Sequence, residues 1–195
     1  MTRLQSPAPI IAIVYGDGAR IAPILDRLAT HLAAEGCRLA GLLQRDILRV
    51  GRSRCDMILE DLATGETVAI SQDRGEGARG CRLDADALLN AVVRTRNALE
   101  TQPELVIVNK FGKTECEGGG CRSLIAEAVE HNVPVVVAVP WANLESWRCF
   151  ACDLATEYSL DDMPMESAYL CRKLGLLQRA PPPAAPAMPD ASAVR

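Results

Sequence analysis

The sequence predicts an α/β domain built on a doubly wound, mostly parallel sheet. Three short segments are almost wholly apolar, as strands buried on both faces are: residues 9–15 (PIIAIVY), 105–109 (LVIVN) and 134–140 (PVVVAVP). Segments with helical apolar spacing lie between them, and this alternation is typical of parallel sheets with helices on both faces. The chain of 195 residues suits one such domain, which we place at residues 8–178.

The first half of the chain predicts a strand, a helix, a second strand and a hairpin. After the first strand, residues 16–18 (GDG) predict a tight turn, and apolar residues recur at helical spacing over 21–35. Residues 38–46 (RLAGLLQRD) predict the second strand. Residues 55–70 predict a β-hairpin that turns at residues 64–65 (TG), an insertion into the parallel sheet.

The second half predicts helices between the remaining apolar strands. Asp84 is placed to cap a helix over residues 85–100, and shorter helices are predicted over 123–131 and 143–150. Residues 179–195 are rich in Pro and Ala and lack periodicity, so we expect a disordered tail.

Composition excludes several classes of function. The net charge is −4 and the isoelectric point about 5.3, so there is no overall basic field to attract nucleic acid. No apolar run reaches the roughly 18 residues of a membrane span, and the first residues lack the features of a signal peptide. We therefore expect a cytoplasmic protein without membrane insertion, whose eight cysteines are mostly free thiols.

Ligands of doubly wound sheets bind beyond the carboxyl ends of the strands. Here those ends carry glycines, amides and cations. A second glycine-rich segment, residues 117–120 (EGGG), precedes a predicted helix and could expose backbone N–H groups to an anion, with Arg122 in the first helical turn. A flexible loop with a solvated arginine is the alternative. The candidate ligand-binding residues are Gly16, Asp17, Gly18, Arg20, Gln44, Arg45, Asn109, Lys110, Lys113, Gly119, Gly120 and Arg122.

The first turn has the context of a phosphate-binding loop but not its residues. A P-loop has the pattern GxxxxGK[ST] between a strand and a helix. Aligned from the helix side, its closing glycine falls on Arg20, its lysine on Ile21 and its hydroxyl residue on Ala22. The lysine for the terminal phosphates and the hydroxyl for Mg²⁺ are thus absent. A plain strand-to-helix turn and a modified anion cradle both remain open.

Three segments together resemble a known family: residues 41–66, residues 80–88 (GCRLDADAL) and above all residues 105–122 (LVIVNKFGKTECEGGGCR). They look like the bacterial domain of unknown function 2478, over about residues 9–160. That family is often encoded beside molybdenum-uptake genes and is similar to nucleoside-triphosphatases of the THEP type. The resemblance implies a P-loop-NTPase-like fold with a degenerate P-loop.

The chain departs from those triphosphatases at the strand end that follows residue 108. Where they have a metal-binding Asp and a catalytic Glu, this sequence has Asn109 and Lys110. Asn supplies no negative charge, and a protonated Lys is not a general base. The changes argue against an enzyme and make the site more positive, so that Lys110 can partly replace the missing lysine and metal ion.

We therefore expect a protein that binds a small tetrahedral oxyanion, molybdate or tungstate by the resemblance. A divergent nucleoside-triphosphatase is the first alternative, with nucleotide as ligand and Asp17 or Glu115 holding Mg²⁺; a ligand-free, oligomeric interaction module is the second. The partners implied are molybdenum-uptake or cofactor-assembly proteins, or further copies of the chain. Cys55 and Cys81 fall at family motif positions, where their thiolates could bind molybdenum or tungsten or serve as ordinary strand and loop residues.

Overall fold

The computed structural model describes residues 9–47, 56–71, 83–163 and 166–176. Its strands are β1 (Ile10–Tyr15), β2 (Leu39–Ile47), β3 (Asp56–Asp61), β4 (Thr67–Ala69), β5 (Leu105–Val108), β6 (Val135–Pro140) and β7 (Ala155–Ser159). Its helices are α1 (Gly18–Ala34), α2 (Ala85–Asn97), α3 (Lys113–Cys116), α4 (Arg122–Glu130), α5 (Leu144–Ala151) and α6 (Ser167–Lys173).

All the strands named above join one sheet in the order β4-β3-β2-β5-β6-β1-β7. The pairs β2–β5, β5–β6, β6–β1 and β1–β7 are parallel, whereas β3 and β4 add to β2 as an antiparallel hairpin. This confirms the predicted doubly wound, mostly parallel sheet with a hairpin insertion.

The central strands are apolar on both faces because helices cover both. On one face, alternate residues of β1 such as Ile11 pack with Ile24 and Leu28 of α1 and with α6. On the other face, the neighbouring β1 residues pack with α2, with Leu124 of α4 and with Trp147 of α5. The near-continuous apolar runs are thus the signature of a sheet that lies between two helical layers.

One close approach inside the sheet requires glycine. Gly41 lies in β2 opposite Ile107 of β5, with φ +127°. A Cβ atom at this position would lie 1.9 Å from the carbonyl oxygen of Ile107. Any side chain would therefore separate β2 from β5, the two strands whose ends deliver Gln44 and Asn109.

The predicted strands, hairpin and helices are confirmed in both halves of the chain, with shifts of up to about three residues at their ends. Asp84 does cap α2, because its Oδ1 accepts the N–H of Ala87 at 3.0 Å. That helix ends at Asn97 and continues as a 3₁₀ turn to Thr101, where we expected one helix to residue 100. Strand β7 and helices α3 and α6 had no sequence prediction.

The predicted proline-rich tail, residues 179–195, lies outside the described residues. Among the helices that the structure describes, none is long and apolar enough to cross a membrane.

Candidate functional site

The carboxyl ends of β1, β5 and β6 meet at one edge of the sheet. Tyr15, the last residue of β1, lies beside Pro140, the last residue of β6. Strand β5 pairs with the other side of β6, so its end lies two strands from β1, or about 10 Å at the usual strand spacing. The sheet therefore brings the Asn109–Lys113 segment close to the turn after β1.

That turn, Gly16–Gly18, is called the β1 turn below. Only two residues, Gly16 and Asp17, separate β1 from α1, whereas a P-loop needs its eight-residue motif to wrap around phosphates. Asp17 caps the helix by accepting the N–H of Ala19 on its Oδ1 at 2.9 Å. The connection is thus too short for a phosphate-wrapping loop, beyond the missing lysine and hydroxyl.

The two glycines of the β1 turn have no evident role in the fold. Neither is among the glycines with positive φ. Among the described residues, a Cβ at Gly16 would meet no atom within 4 Å, and one at Gly18 would meet only Tyr15 Cε2, at 3.8 Å. The space over the turn is open, and glycine there permits a ligand to approach the backbone closely.

Lys110 is the exposed cation at the end of β5. Its side chain passes over Gly112, since the position of a Gly112 Cβ lies 3.7 Å from its Cε. Within the part of the chain that the structure describes, no carboxylate forms an ion pair with it. The preceding Asn109 donates from its side-chain amide to Gln44 Oε1 at 3.4 Å.

Phe111 anchors this segment. Its ring is fully buried, packs edge-on against Trp147 at 5.2 Å between ring centroids, and stacks on Phe150 at 5.5 Å. Its N–H donates to the carbonyl oxygen of Ala138 at 2.8 Å, and its carbonyl oxygen accepts the side-chain amide of Asn143 at 2.8 Å. The exposed Lys110 thus directly precedes Phe111, a residue that ring packing and two hydrogen bonds hold in the core.

The second glycine-rich segment, Gly118–Gly120, is called the glycine loop below. It has an internal anion. The carboxylate of Glu115 is buried, with 5% of the residue exposed, and accepts N–H groups from Gly112 at 2.8 Å and from Cys121 at 2.9 Å. The carboxylate therefore occupies the space against Gly120, and its two N–H donors lie on either side of the glycine loop and not within it.

Other contacts of the glycine loop support this arrangement. Gly118 and Gly119 donate their N–H groups to the carbonyl oxygens of Glu115 and Thr114, at 3.2 and 2.9 Å. Because the Glu115 carboxylate points into the loop, it is not placed to hold Mg²⁺ at the sheet edge, as the triphosphatase alternative requires.

Sequence reasoning missed the role of Glu115, although a signal was present. In a capping box, a Glu three residues after the start of a helix accepts the N–H at that start. The string Gly112-Lys-Thr-Glu115 has this spacing, and the Gly112 N–H bond to Glu115 is the corresponding contact.

Arg122 lies partly buried beside this loop rather than over the β1 turn. Its guanidinium is 4.5 Å from the centre of the Phe150 ring, a cation–π contact, and donates to the carbonyl oxygen of Glu115 at 3.4 Å. It links α4 to the aromatic cluster around Phe111.

Arg45 is already balanced by two carboxylates. It forms ion pairs with Asp26 of α1 at 2.5 Å and with Glu60 of β3 at 2.8 Å. Although partial burial alone would lower its pKa, the hydrogen bonds to the two acids raise it above the ordinary arginine value. Arg45 thus joins the hairpin to α1, and its charge is neutralised there.

Arg20 and Lys113 form ion pairs at the surface. Arg20 contacts Asp161 at 2.7 Å, and Lys113 contacts Glu117 at 3.6 Å, with all four side chains largely exposed. Exposed pairs of this kind contribute about 0–1 kcal/mol and are easily exchanged.

The cysteines predicted as metal ligands, Cys55 and Cys81, lie outside the described residues. Across residues 9–47, 56–71, 83–163 and 166–176, no group of three or more His, Cys, Asp and Glu side chains could hold a metal ion.

Two comparisons with known proteins concern the sequence. The model of a family described as protein of unknown function (DUF2478) matches residues 10–167. The protein named molybdenum import ATP-binding protein ModC 2, from Bradyrhizobium diazoefficiens, is 34% identical over 150 residues, which are 77% of this chain and 17% of that protein. The chain thus matches less than a fifth of the length of that relative.

A comparison of structures supports the fold. The crystal structure of THEP1 from the hyperthermophile Aquifex aeolicus aligns with 87% of this chain and 99% of its own, at a TM-score of 0.55 and 16% identity. The likeness at this identity concerns the fold, and it confirms the predicted P-loop-NTPase-like architecture.

Proposed function

This chain belongs to the family described as protein of unknown function (DUF2478), and we propose that it binds a tetrahedral oxyanion without hydrolysing nucleotides. Molybdate or tungstate is the proposed ligand, in molybdenum handling or sensing. The observation that carries the proposal is Lys110, an exposed cation without an ion-pair partner in the described residues, at the strand end where the related triphosphatases have acids.

The charge pattern favours an anion between Lys110 and the β1 turn. Other cations at this edge, Arg20 and Lys113, have acidic partners, whereas Lys110 has none among the described residues. Opposite it, the open β1 turn presents the start of α1, a 17-residue helix with a partial positive charge at that end. The Lys110 side chain, which passes over Gly112 in the structure, would turn toward the β1 turn, about 10 Å away by the usual strand spacing, to contact a ligand there.

Hydrolysis is not expected from this site. The two-residue connection between β1 and α1 cannot form the P-loop cradle. Asn109 cannot replace a metal-binding carboxylate, and the nearby acid Glu115 is buried in the glycine loop. A positive side chain is then the remaining means of offsetting the ligand's charge.

The assignment to molybdenum rests on the family resemblance and on the name of the Bradyrhizobium relative. The matched segment makes up 17% of that relative, so this chain does not replace the whole of it. We propose instead that this chain is a separate partner of a molybdenum import ATP-binding protein. The interaction of the two as separate chains is part of the proposal.

Nucleotide binding without hydrolysis is the second candidate. The strand order of the sheet and the likeness to THEP1 favour it, because folds of this kind bind ligands at the same sheet edge. The short β1–α1 connection and the exposed Lys110 favour a ligand smaller than a triphosphate.

Isothermal titration calorimetry of the purified chain tests the proposal. Molybdate, tungstate, sulfate, phosphate and ATP with Mg²⁺ are titrated separately into the wild type, Lys110→Ala, Lys110→Glu and Lys113→Ala. We expect molybdate and tungstate to bind the wild type. Lys110→Ala should weaken binding by roughly 1.5–3 kcal/mol, the scale of a charged hydrogen bond, and Lys110→Glu should abolish it.

Lys113→Ala is the matched control, because it removes the same charge three residues away from a side chain that has an acidic partner. Its affinity should stay close to that of the wild type. Equal losses for the two lysines would indicate a diffuse charge effect and not a site at Lys110. Binding of ATP but of no small oxyanion would replace the proposal with the nucleotide candidate.

A further inference from the structure

Two cysteines at the end of α5 differ from the other described cysteines. Cys149 and Cys152 are exposed, whereas Cys121 and Cys171 are buried. Burial raises the pKa of the Cys171 thiol to about 11, and burial together with the Glu115 carboxylate raises the pKa of Cys121. The exposed pair therefore has the access to reagents in solution that the buried pair lacks.

The two exposed cysteines lie within one turn of each other. The two residues between them, Phe150 and Ala151, belong to α5, and Ala151 has φ −80° and ψ −23°. Residues three apart in a helix are neighbours on its surface, about 5–6 Å apart at Cβ. A disulfide needs Cβ atoms about 3.5–4.5 Å apart, and the left-handed φ of Cys152 moves its Cβ away from the helical position. The Sγ of Cys152 already lies 3.7 Å from the carbonyl oxygen of Cys149, so its side chain is folded back toward that residue.

The backbone of Cys152 is unusual for a residue with a side chain. Its φ is +47° and its ψ −130°, a region that glycine adopts far more readily. This conformation stops α5 and leaves Cys152 outside the last turn, where its side chain can move without breaking helical hydrogen bonds. Strained positions of this kind are associated with functional sites.

We propose that Cys149 and Cys152 form a reversible intramolecular disulfide with a small-molecule disulfide as the oxidant. The thiolate of Cys149 attacks one sulfur of the oxidant, forms a mixed disulfide and releases one small thiolate. The thiolate of Cys152 then attacks the Cys149 sulfur, which closes the protein disulfide and releases the second small thiolate. Two protein thiols lose two protons and two electrons, and one small disulfide becomes two thiols.

The surroundings of the pair assign the first attack to Cys149. It lines an open depression of about 560 Å³ with Trp141, Leu144, Glu145 and Arg148. This depression has room for a small disulfide to reach the Cys149 sulfur. Cys152 lies beyond the helix end and acts as the resolving thiol.

The test uses the whole chain in glutathione buffers of rising oxidised fraction. Free thiols are alkylated, the protein is digested with trypsin, and the peptide of residues 149–172 is fragmented by mass spectrometry to locate the bond. We expect a Cys149–Cys152 bond in the wild type, with Cys171 in the same peptide still alkylated after unfolding. Reduction with excess thiol should restore both free cysteines.

Single variants separate the two roles. Cys152→Ser should accumulate glutathione bound to Cys149, because the resolving thiol is absent. Cys149→Ser keeps Cys152, which is exposed but does not line the depression, so glutathione should attach to Cys152 more slowly than it attaches to Cys149 in Cys152→Ser. Neither side chain is part of the core, so circular dichroism should show both variants folded.

Three results would overturn the proposal. Both cysteines could remain alkylatable at every glutathione ratio, a Cys149–Cys171 bond could form instead, or non-reducing gels could show only disulfides between chains. Equal reaction rates of the two single variants would remove the assignment of Cys149 as the attacking thiol.

Discussion

The β1 turn and the glycine loop look alike in the sequence and differ in the structure. Both are glycine-rich, both precede a helix, and both lie at the carboxyl edge of the sheet. In the glycine loop, Gly118 and Gly120 have positive φ, and a Cβ on Gly120 would lie 2.0 Å from the Oε1 of Glu115. In the β1 turn, a Cβ on Gly16 would meet nothing within 4 Å in the part of the chain that the structure describes.

This difference separates two uses of glycine. The glycine loop folds tightly around an internal carboxylate, so its glycines are explained by the chain's own contacts. The glycines of the β1 turn are explained by neither backbone conformation nor packing. An open glycine turn is therefore the better candidate for a ligand from outside, whereas the glycine loop is closed around a carboxylate of the chain.

Gly120→Ala should have the largest effect. The new methyl group would displace the Glu115 carboxylate from its two backbone partners and force a non-glycine residue to φ +58°. A loss of about 2–4 kcal/mol in the free energy of unfolding is expected from buried N–H groups left unpaired and from backbone strain. Urea denaturation measures it, and a loss below about 0.5 kcal/mol, typical of neutral surface changes, would contradict a filled loop.

Glu115→Gln should destabilise the protein somewhat less than Gly120→Ala. It keeps the shape of the side chain but removes its charge and places an amide NH₂ group where one of two backbone N–H donors needs an acceptor. We expect a loss of roughly 1.5–3 kcal/mol in the free energy of unfolding. If Glu115 instead served as a ligand group at the sheet edge, stability would stay unchanged and oxyanion or metal binding would change in calorimetry.

Cys152→Gly should stabilise the protein under reducing conditions, whereas the two preceding variants should destabilise it. Here a residue with a side chain has a conformation that suits glycine, φ +47° and ψ −130°. Relief of this strain should raise the free energy of unfolding by about 1 kcal/mol, measured by urea denaturation with excess reductant. Cys152→Ser keeps a Cβ atom and is the control, which should show no such gain.

Gly16→Ala should change stability least, by less than about 0.5 kcal/mol, as surface substitutions usually do. The same variant should weaken oxyanion binding, because its methyl group projects into the open space over the β1 turn. Calorimetry and urea denaturation on one preparation give both values. If both the affinity for the oxyanion and the stability stay unchanged, the proposed ligand does not bind over the β1 turn.

The fold was more predictable from the sequence than the site. Apolar runs buried on both faces give a strong local signal, and β1, β5 and β6 were predicted within two residues. Strand β7 is only half-buried along its length, so its sequence, ATEYS, lacks such a run. Helix α3 has four residues, too few for a helical period to be visible.

Site contacts depended on partners distant in the sequence. Arg45 was predicted as a ligand residue because it follows an apolar run, but its partners Asp26 and Glu60 lie 19 and 15 residues away. No local pattern identifies such pairs. The contact between Glu115 and Gly112 spans three residues, and its capping-box spacing was a local signal that our sequence analysis did not use.

The burial of Phe111 has a consequence for how fast and how tightly a ligand could bind. Its ring cluster and its two backbone hydrogen bonds hold the chain on the carboxyl side of Lys110, and the hydrogen bond from the Asn109 N–H to Leu42 holds the other side. A ligand that contacts Lys110 would therefore restrict one side chain, at about 2 kcal/mol of rotamer entropy, and would not have to order a loop. Such preorganisation favours association without a slow conformational step.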